Sequence, residues 1–268
     1  MRYRTLWISD VHLGRPGCQA ERLADFLHRH DCGTLYLVGD IIDGWKLRQG
    51  WYWPQAHANV VREILSKAET GTAVHYITGN HDEFLRRYVD HALHFGNISI
   101  ANEAIHHSAD GRRLLVLHGD AFDMITRYFR RIAIAGDTAY QALLRANVAI
   151  NHVRARLDKP QWSLSAYAKH QVKRAVNFVS AFEDAVARDC RQRGLDGVIC
   201  GHIHHAEIRR IHGVQYYNCG DWMESCTALT EDANGRFEIV CWDPPHASER
   251  ASPKVTPLKP VLRAGRKA

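Results

Sequence analysis

Five short polar clusters constrain this chain most, because each one directly follows a run of apolar residues typical of a buried strand. In chain order they are Asp10-Val11-His12, Gly39-Asp40-Ile41-Ile42-Asp43, Gly79-Asn80-His81-Asp82, His118-Gly119-Asp120 and Gly201-His202-Ile203-His204. Side chains just beyond the carboxyl ends of strands in an open α/β sheet converge on one crevice. A single cluster would be weak evidence, since an Asp at a strand end is often a helix cap. Five in succession predict one shared site.

The residues between these clusters predict an α/β fold. Strand and helix signals alternate over the first 120 residues, which indicates parallel strands joined by right-handed crossovers. Buried strands are predicted at 4–9, 34–38 and 72–78, and amphipathic helices at 20–30 and 54–70. Further strands are predicted at 98–100, 104–107, 113–117, 197–200, 207–211, 214–218, 227–230 and 237–242.

Two segments depart from this pattern. Residues 122–193 have helical periodicity and almost no strand signal, and residues 244–268 are rich in Pro, Lys and Arg. We therefore predict a core formed by 1–120 and 194–243, a helical insertion at 121–193, and a basic tail at 244–268. The composition of the tail is typical of a disordered or loosely attached segment.

Charge and cysteine content limit the classes of function. The net charge is +6, but the strand-rich core is negative, and the basic excess lies in the insertion and the tail. This distribution argues against a nucleic-acid-binding protein, which would present a basic track. Seven cysteines without a C-x-x-C pair predict buried, reduced thiols and a cytoplasmic location. The N-terminal residues lack the pattern of a signal peptide and no run of 18 apolar residues is present, so we expect neither a signal peptide nor a membrane span.

The residue types within the clusters are those of metal ligands. In an extended strand exit, alternate side chains point to the same side, which predicts that Asp10 and His12 reach one ion together, and likewise His202 and His204. Glycine precedes Asp40, Asn80 and His202, where it permits a tight exit. A mixture of imidazole, carboxylate and amide oxygen suits Mn²⁺, Fe²⁺, Co²⁺ or Zn²⁺ better than Ca²⁺.

The ordered series D-x-H, G-D-x-x-D, G-N-H-D, H-G-D and G-H-x-H resembles the calcineurin-like metallophosphoesterase superfamily. The resemblance implies a four-layer α/β/β/α sandwich with a helical lid, and two divalent ions, most simply Mn²⁺. It implies a first ion held by Asp10, His12, Asp40 and His204, and a second held by Asp40, Asn80, His118 and His202. It also implies that a hydroxide shared by the ions attacks phosphorus, that His81 stabilises the transition state or protonates the leaving group, and that Asp43 and Asp82 orient histidines.

Within the superfamily, segments 8–14, 37–43 and 79–85 resemble the UDP-2,3-diacylglucosamine pyrophosphatase group of lipid A biosynthesis most. This resemblance implies cleavage of a pyrophosphate bond in a nucleotide-sugar or lipid-linked diphosphate. The chain departs from that group at His81, where the group has Arg, which indicates a sister branch whose substrate differs in some respect.

The helical insertion has two interpretations. Its apolar residues and ten basic residues (within 121–185) suit a lid over a lipid-linked anionic substrate and peripheral association with the cytoplasmic face of the inner membrane. They also suit an ordinary amphipathic subdomain. On the first interpretation Lys169 and Lys173 bind the substrate phosphate and Asp123 contacts the sugar, beside Asn80 and His81; on the second they face solvent.

Other functions share the same metal pair. A phosphodiesterase, a nuclease and a phosphoprotein phosphatase are the enzymatic alternatives, and a protein-binding scaffold is the non-enzymatic one. The scaffold predicts missing ligands, whereas all seven are present. Trp45, Trp51 and Trp53 either stack a base, line a lipid mouth or pack on the core, and His106, His107 and His205 are expected to pack or to face solvent.

Overall fold

A computed structural model describes residues 2–91, 94–123 and 179–243. Most of the predicted insertion, with Lys169 and Lys173, lies outside the described residues, as do the tail and the side chain of Asp123. The proposed division into core, insertion and tail therefore stays a prediction. No helix in the described ranges is both long and apolar enough to span a bilayer.

Twelve strands and four α-helices form the described part of the chain. The strands are β1 Arg2–Ile8, β2 Asp31–Val38, β3 Ala73–Ile77, β4 His94–Phe95, β5 Ile98–Ala101, β6 Glu103–His107, β7 Arg113–Leu117, β8 Gly197–Cys200, β9 Glu207–Ile211, β10 Val214–Asn218, β11 Thr227–Glu231 and β12 Phe237–Cys241. The helices are α1 Ala20–Arg29, α2 Gly44–Gln49, α3 Gln55–Glu69 and α4, which covers 179–192. Two 3₁₀ segments, Glu83–His91 and Asp120–Asp123, complete the order.

The strands form two sheets. The larger sheet has the order β12-β11-β1-β2-β3-β5-β4, and β1, β2, β3 and β5 are parallel to one another. The smaller sheet has the order β6-β7-β8-β10-β9, with β7, β8 and β10 parallel. The parallel strands at the centre of both sheets are the ones whose ends carry the five polar clusters.

Apolar side chains join these sheets and helices into four layers. The faces of the two sheets meet in a core that includes Trp7, Tyr36, Ile199 and Tyr217. Helices α1 and α3 cover the outer face of the larger sheet, and α4 covers the smaller sheet through Phe182 and its neighbours. This arrangement confirms the predicted α/β/β/α sandwich.

Helix α1 shows why the outer layer forms where the sequence pattern predicts it. Its buried side chains are Leu23, Phe26, Leu27 and Ala20, which repeat at helical spacing and face the sheet. The helix ends at Arg29, because the backbone of His30 is extended and leads directly into β2. Sequence periodicity had extended this helix by one residue, which is the usual margin at a helix end.

Candidate metal centre

Three of the five polar clusters contain candidate ligands with left-handed backbone conformation. Asp10, His12, Asp40, His202 and His204 all have φ between 52° and 73°. The expectation that D-x-H continues as an extended strand is therefore wrong. Non-glycine residues in this conformation are uncommon and store strain of about 1–3 kcal/mol each, and such strain concentrates at functional sites.

This correction changes which histidines act together. His202 and His204 do not share a face as extended alternation predicted, because each residue turns the chain sharply. His204 joins Asp10 and His12 in one group of donor atoms, and His202 joins Asp40 and His118 in another. A third group joins His12, Asp40 and His81. The separation of His204 from His202 agrees with the expectation from the family resemblance, and the ligand sets themselves stay a prediction.

Asp10 ties two clusters together with its two carboxylate oxygens. Its Oδ2 accepts a hydrogen bond of 2.9 Å from the backbone N–H of His202. Its Oδ1 lies 3.2 Å from Nε2 of His204. Burial alone would raise the pKa of Asp10, but the hydrogen bond and positive charge of His204 lower it below the usual range. Asp10 is therefore a carboxylate that is ready to bind a cation.

Asp40 lies at the centre of the site. Its Oδ1 accepts the backbone N–H of His81 at 2.8 Å, which fixes the carboxylate. Its Oδ2 faces three imidazole Nε2 atoms, at 3.3 Å from His118 and 3.9 Å from both His12 and His81. Asp40 belongs to two of the three groups of candidate ligands, so its position fits that of a carboxylate shared by two ions.

Buried polar atoms without partners test whether the residues fit a metal. Nε2 of His12 and Oδ1 of Asn80 are buried and have no hydrogen-bond partner. A buried polar atom without a hydrogen-bond partner lowers the stability of the fold by about 1–3 kcal/mol. Such atoms are therefore expected mainly where they bind a ligand or take part in chemistry. Imidazole nitrogen and amide oxygen are donors that transition-metal ions accept. The donor set therefore fits two divalent cations.

Two glycines make this convergence possible. A Cβ at Gly39 would overlap the ring of His118, and a Cβ at Gly79 would overlap the carboxylate of Asp40. Gly39 also has φ of 73°, which disfavours any other residue. Glycine is therefore needed ahead of these ligands for two reasons: neighbouring side chains lie too close for a Cβ, and Gly39 has a left-handed backbone conformation.

His118 is held by a hydrogen bond at Nδ1. Its Nδ1–H donates a hydrogen bond of 2.9 Å to the carbonyl oxygen of Val38, which leaves Nε2 facing Asp40 and, at 3.3 Å, Nδ1 of His202. Burial alone would lower the pKa of His118, but the charges of Asp40 and Asp10 raise it well above the ordinary value. The field in the cleft is thus strongly negative and favours positive charge.

Asp43 lies against two histidines, which is where the resemblance expects a carboxylate that orients them. Its Oδ2 lies 3.4 Å from Nδ1 of His12, and its Oδ1 lies 3.0 Å from Nδ1 of His81. The same Oδ1 caps α2 by accepting the backbone N–H of Lys46 at 2.9 Å. A carboxylate against Nδ1 directs Nε2 of each ring into the cleft.

Asp82 has a different role from the one that the resemblance implies. One of its oxygens accepts the backbone N–H of Ile41 at 2.9 Å and the hydroxyl of Tyr76 at 2.7 Å. The other accepts the backbone N–H of Gly79. Asp82 therefore holds two strand exits together rather than orienting a histidine ring, because backbone donors occupy both of its oxygens.

Sequence reasoning missed a sixth strand exit, Cys219-Gly220-Asp221-Trp222, which follows β10. The backbone N–H of Trp222 donates to the carbonyl of Asp10 at 3.1 Å. The pKa of His204 is lowered by burial and raised by Asp10 and then Asp221, with a net rise. A Gly-Asp pair directly after a predicted strand was the signal that identifies this loop.

The rim of the site carries an aromatic ring. The ring of Trp45 lies 4.1 Å from the ring of His81, measured between centroids, and its Nε1 donates to Glu83 at 3.3 Å. The side chain of His81 is 18% exposed and that of His204 is 40% exposed, so these two rings lie at the open side of the cluster. His106 lies elsewhere, buried between the sheets, while His107 and His205 face solvent as expected.

The calcineurin-like phosphoesterase family model matches residues 3–206, which include all five predicted clusters. The UDP-2,3-diacylglucosamine hydrolase of Cellvibrio japonicus (strain Ueda107) is 28% identical over 250 residues, covering 89% of this chain and 99% of that protein. The protein of the same name from Stenotrophomonas maltophilia (strain R551-3) is 28% identical, covering 86% and 96%. A solved archaeal phosphodiesterase is 12% identical with a TM-score of 0.41, covering 88% and 98%.

Proposed function

Because this chain belongs to the calcineurin-like phosphoesterase family and is a metal-dependent hydrolase, we propose that it cleaves the pyrophosphate bond of a nucleotide-diphosphate substrate linked to a sugar or lipid. The observation that carries the proposal is Asp40, which belongs to two adjoining groups of candidate ligands, one with His12 and His81 and one with His118 and His202. Similarity to two UDP-2,3-diacylglucosamine hydrolases over nearly their whole length supports the choice of substrate class.

The ligand assignment follows from the groups in the cleft. We assign the first cation to Asp10, His12 and His204 and the second to His118, His202 and Asn80, with Asp40 between them. Two such cations, when bound, neutralise charge on phosphoryl oxygens and lower the pKa of water. Mn²⁺ is the first ion to test, since the donor set mixes nitrogen with carboxylate and amide oxygen.

The chain's own residues then position the reacting groups. Asp43 holds the rings of His12 and His81, and Asp82 holds the strand exits that carry Asp40 and Asn80. Nδ1 of His81 faces Asp43, so its Nε2 faces the cleft near Asp40. From there His81 donates a hydrogen bond to the developing charge on the substrate or a proton to the leaving oxygen. The substrate contacts assigned to Asp123, Lys169 and Lys173 remain part of this proposal.

His81 also favours a second candidate function. A phosphate leaving group departs readily as an anion, whereas an alkoxide requires a proton at the moment of cleavage. A histidine with its Nε2 in the cleft supplies that proton. The second candidate is therefore a phosphodiesterase that acts on an ester of an alcohol.

The two candidates are separated by substrate. The full chain with Mn²⁺ should hydrolyse a UDP-diacylglucosamine faster than UDP-sugars and dinucleotides, and faster than an alkyl phosphodiester. A preference for the alkyl ester would favour the second candidate. Absence of turnover with every divalent metal, on these substrates and on bis-p-nitrophenyl phosphate, would contradict both. We further place the enzyme in the cytoplasm, where a nucleotide-linked substrate is made.

A further inference from the structure

An exposed aromatic segment joins α2 to α3. It consists of Trp51, Tyr52 and Trp53, which we call the aromatic tip. The side chains of Trp51 and Tyr52 are 79% and 43% exposed, among the largest apolar groups at the surface of the described residues. Exposed aromatic rings in a group of this kind mark an interaction site more often than a single exposed apolar residue does.

The tip is held in place from below. The ring of Trp51 stacks on Trp53 at 6.0 Å, and Trp53 packs against the core of the larger sheet. Both Tyr52 and Trp53 place their rings edge-on to the buried ring of His57, at 5.7 and 5.5 Å. An amphipathic ring fixed in this way buries its area at an interface with little loss of conformational entropy.

Direct contacts connect the tip to the candidate metal centre. Nδ1 of His57 accepts the backbone N–H of Gly14 at 3.0 Å, two residues beyond His12. Helix α2, which leads to the tip, begins beside Asp43 and carries Trp45 against His81. The tip is therefore connected to the metal centre by the hydrogen bond at His57 and by the six-residue helix α2.

The segment that carries the tip is basic, although Glu83 accepts a hydrogen bond from Trp45 of α2. Between residues 44 and 62 the chain has three basic residues and no acidic one. Two of the three, Lys46 and Arg48, are exposed on α2. Exposed Trp and Tyr beside Lys and Arg match the interface of an anionic bilayer, where rings lie among headgroups and the cations face lipid phosphates.

We propose that the aromatic tip docks the protein on an anionic membrane surface and brings the mouth of the metal centre to the lipid. The inference deepens the proposed function, and it rests on that function for the lipid-linked nature of the substrate. It assigns docking to the connection between α2 and α3, where the sequence alone had pointed to the helical insertion.

The experiment measures binding to vesicles without substrate. The full chain is sedimented with vesicles of phosphatidylcholine alone and with vesicles that also contain phosphatidylglycerol. Replacing Trp51 and Tyr52 by Ser together should lower the partition coefficient on anionic vesicles about tenfold. Lys46→Gln and Arg48→Gln should lower it about fivefold each and weaken its salt dependence. Ile105→Ser removes an exposed apolar side chain from β6 and should change nothing.

Two results would overturn the docking surface. One is equal partition of the Trp51→Ser, Tyr52→Ser double variant and the parent chain. The other is a dimer in sedimentation equilibrium that the double variant disrupts without an effect on vesicles, which would make the tip a contact between copies. Turnover of soluble bis-p-nitrophenyl phosphate with Mn²⁺ is measured in parallel. Binding to vesicles without turnover would contradict the proposed function and leave the docking surface standing. Turnover without binding to vesicles would contradict the docking surface and leave the proposed function standing.

Discussion

Two buried clusters of histidine and carboxylate differ in how their polar atoms are paired. Between the sheets, Glu231 accepts hydrogen bonds from Nε2 of His106 at 2.9 Å, from the hydroxyl of Thr5 at 3.0 Å and from the backbone N–H of Ala109 at 2.7 Å. In the candidate metal centre, Nε2 of His12 and Oδ1 of Asn80 are buried without any partner. The two clusters have similar residue types, but the acceptor atoms are paired in the first cluster and several polar atoms are unpaired in the second.

This difference separates structural from functional use of the same groups. A buried polar cluster whose atoms are all paired stabilises one arrangement of the chain, whereas unpaired atoms cost stability unless a ligand completes them. The two clusters also differ in backbone conformation. Asp10, His12 and Asp40 have positive φ, whereas Glu231 and His106 do not. Substitutions in the two clusters should therefore affect different properties.

The largest effect is expected from Asp40→Asn. Loss of the shared carboxylate should remove bound metal and lower the hydrolytic rate more than about 10³-fold, since metal catalysis supplies several kcal/mol. In excess chelator the thermal midpoint should fall, because burial raises the pKa of Asp40 but the charges of His118, His81 and His12 lower it further, so the folded state favours this carboxylate. Metal content, rate and thermal melting test the three statements. An active variant that keeps its metal would contradict the site.

His81→Gln should sharpen the comparison within the metal centre. The ring is a donor or charge stabiliser, so its loss should lower the rate about 10²–10⁴-fold while bound metal is retained. The structure also offers the contrary outcome, since His12, Asp40 and His81 form a group that is able to hold an ion. Loss of metal together with rate would make His81 a ligand. Arg87→Gln, in the same segment but exposed, is the matched control.

Sequence predicted the positions of strands well and the path of the chain beyond them poorly. The bounds of β7, β8, β9 and β10 agree with prediction, because short β-branched or apolar runs lie between clear turn residues. Beyond the strands, the D-x-H motif does not indicate whether its backbone is extended or left-handed. The sign of φ at Asp10 and His12 depends on contacts with the exit of β2 that are distant in sequence.

Short elements were missed for a related reason. Helix α2 has six residues, too few for a periodic signal, and it begins where Asp43 caps it. The sequence assigned Asp43 only to the orientation of histidines, and the structure shows that one carboxylate does both. The candidate ligands that the structure brings together could all be named from sequence, because metal chemistry restricts the residue types at each strand end.

Glu231→Gln should lower stability without loss of metal or rate, unlike Asp40→Asn. An amide cannot accept from all the donors that now face this carboxylate, so one buried donor loses its partner and unfolding becomes easier by about 1–3 kcal/mol. Metal content and hydrolytic rate of the folded protein should be unchanged, since the cluster lies between the sheets and away from the ligands. Denaturant unfolding and metal analysis decide the matter. A loss of metal would show that the two clusters are coupled.

The smallest effect concerns pH. Burial raises the pKa of Glu231, but the hydrogen bonds and charge of His106 and its other donors lower it further, so the folded pKa lies below the unfolded value. Its stabilising contribution is therefore present above the unfolded pKa of about 4.3 and is lost as the pH falls through the folded pKa. The free energy of unfolding in chelator should decline less steeply below about pH 4.3 in Glu231→Gln than in the parent chain. Equal slopes would mean that the pKa of Glu231 is the same in the folded and unfolded states. Its hydrogen bonds would then stabilise the charged and the protonated carboxyl group equally.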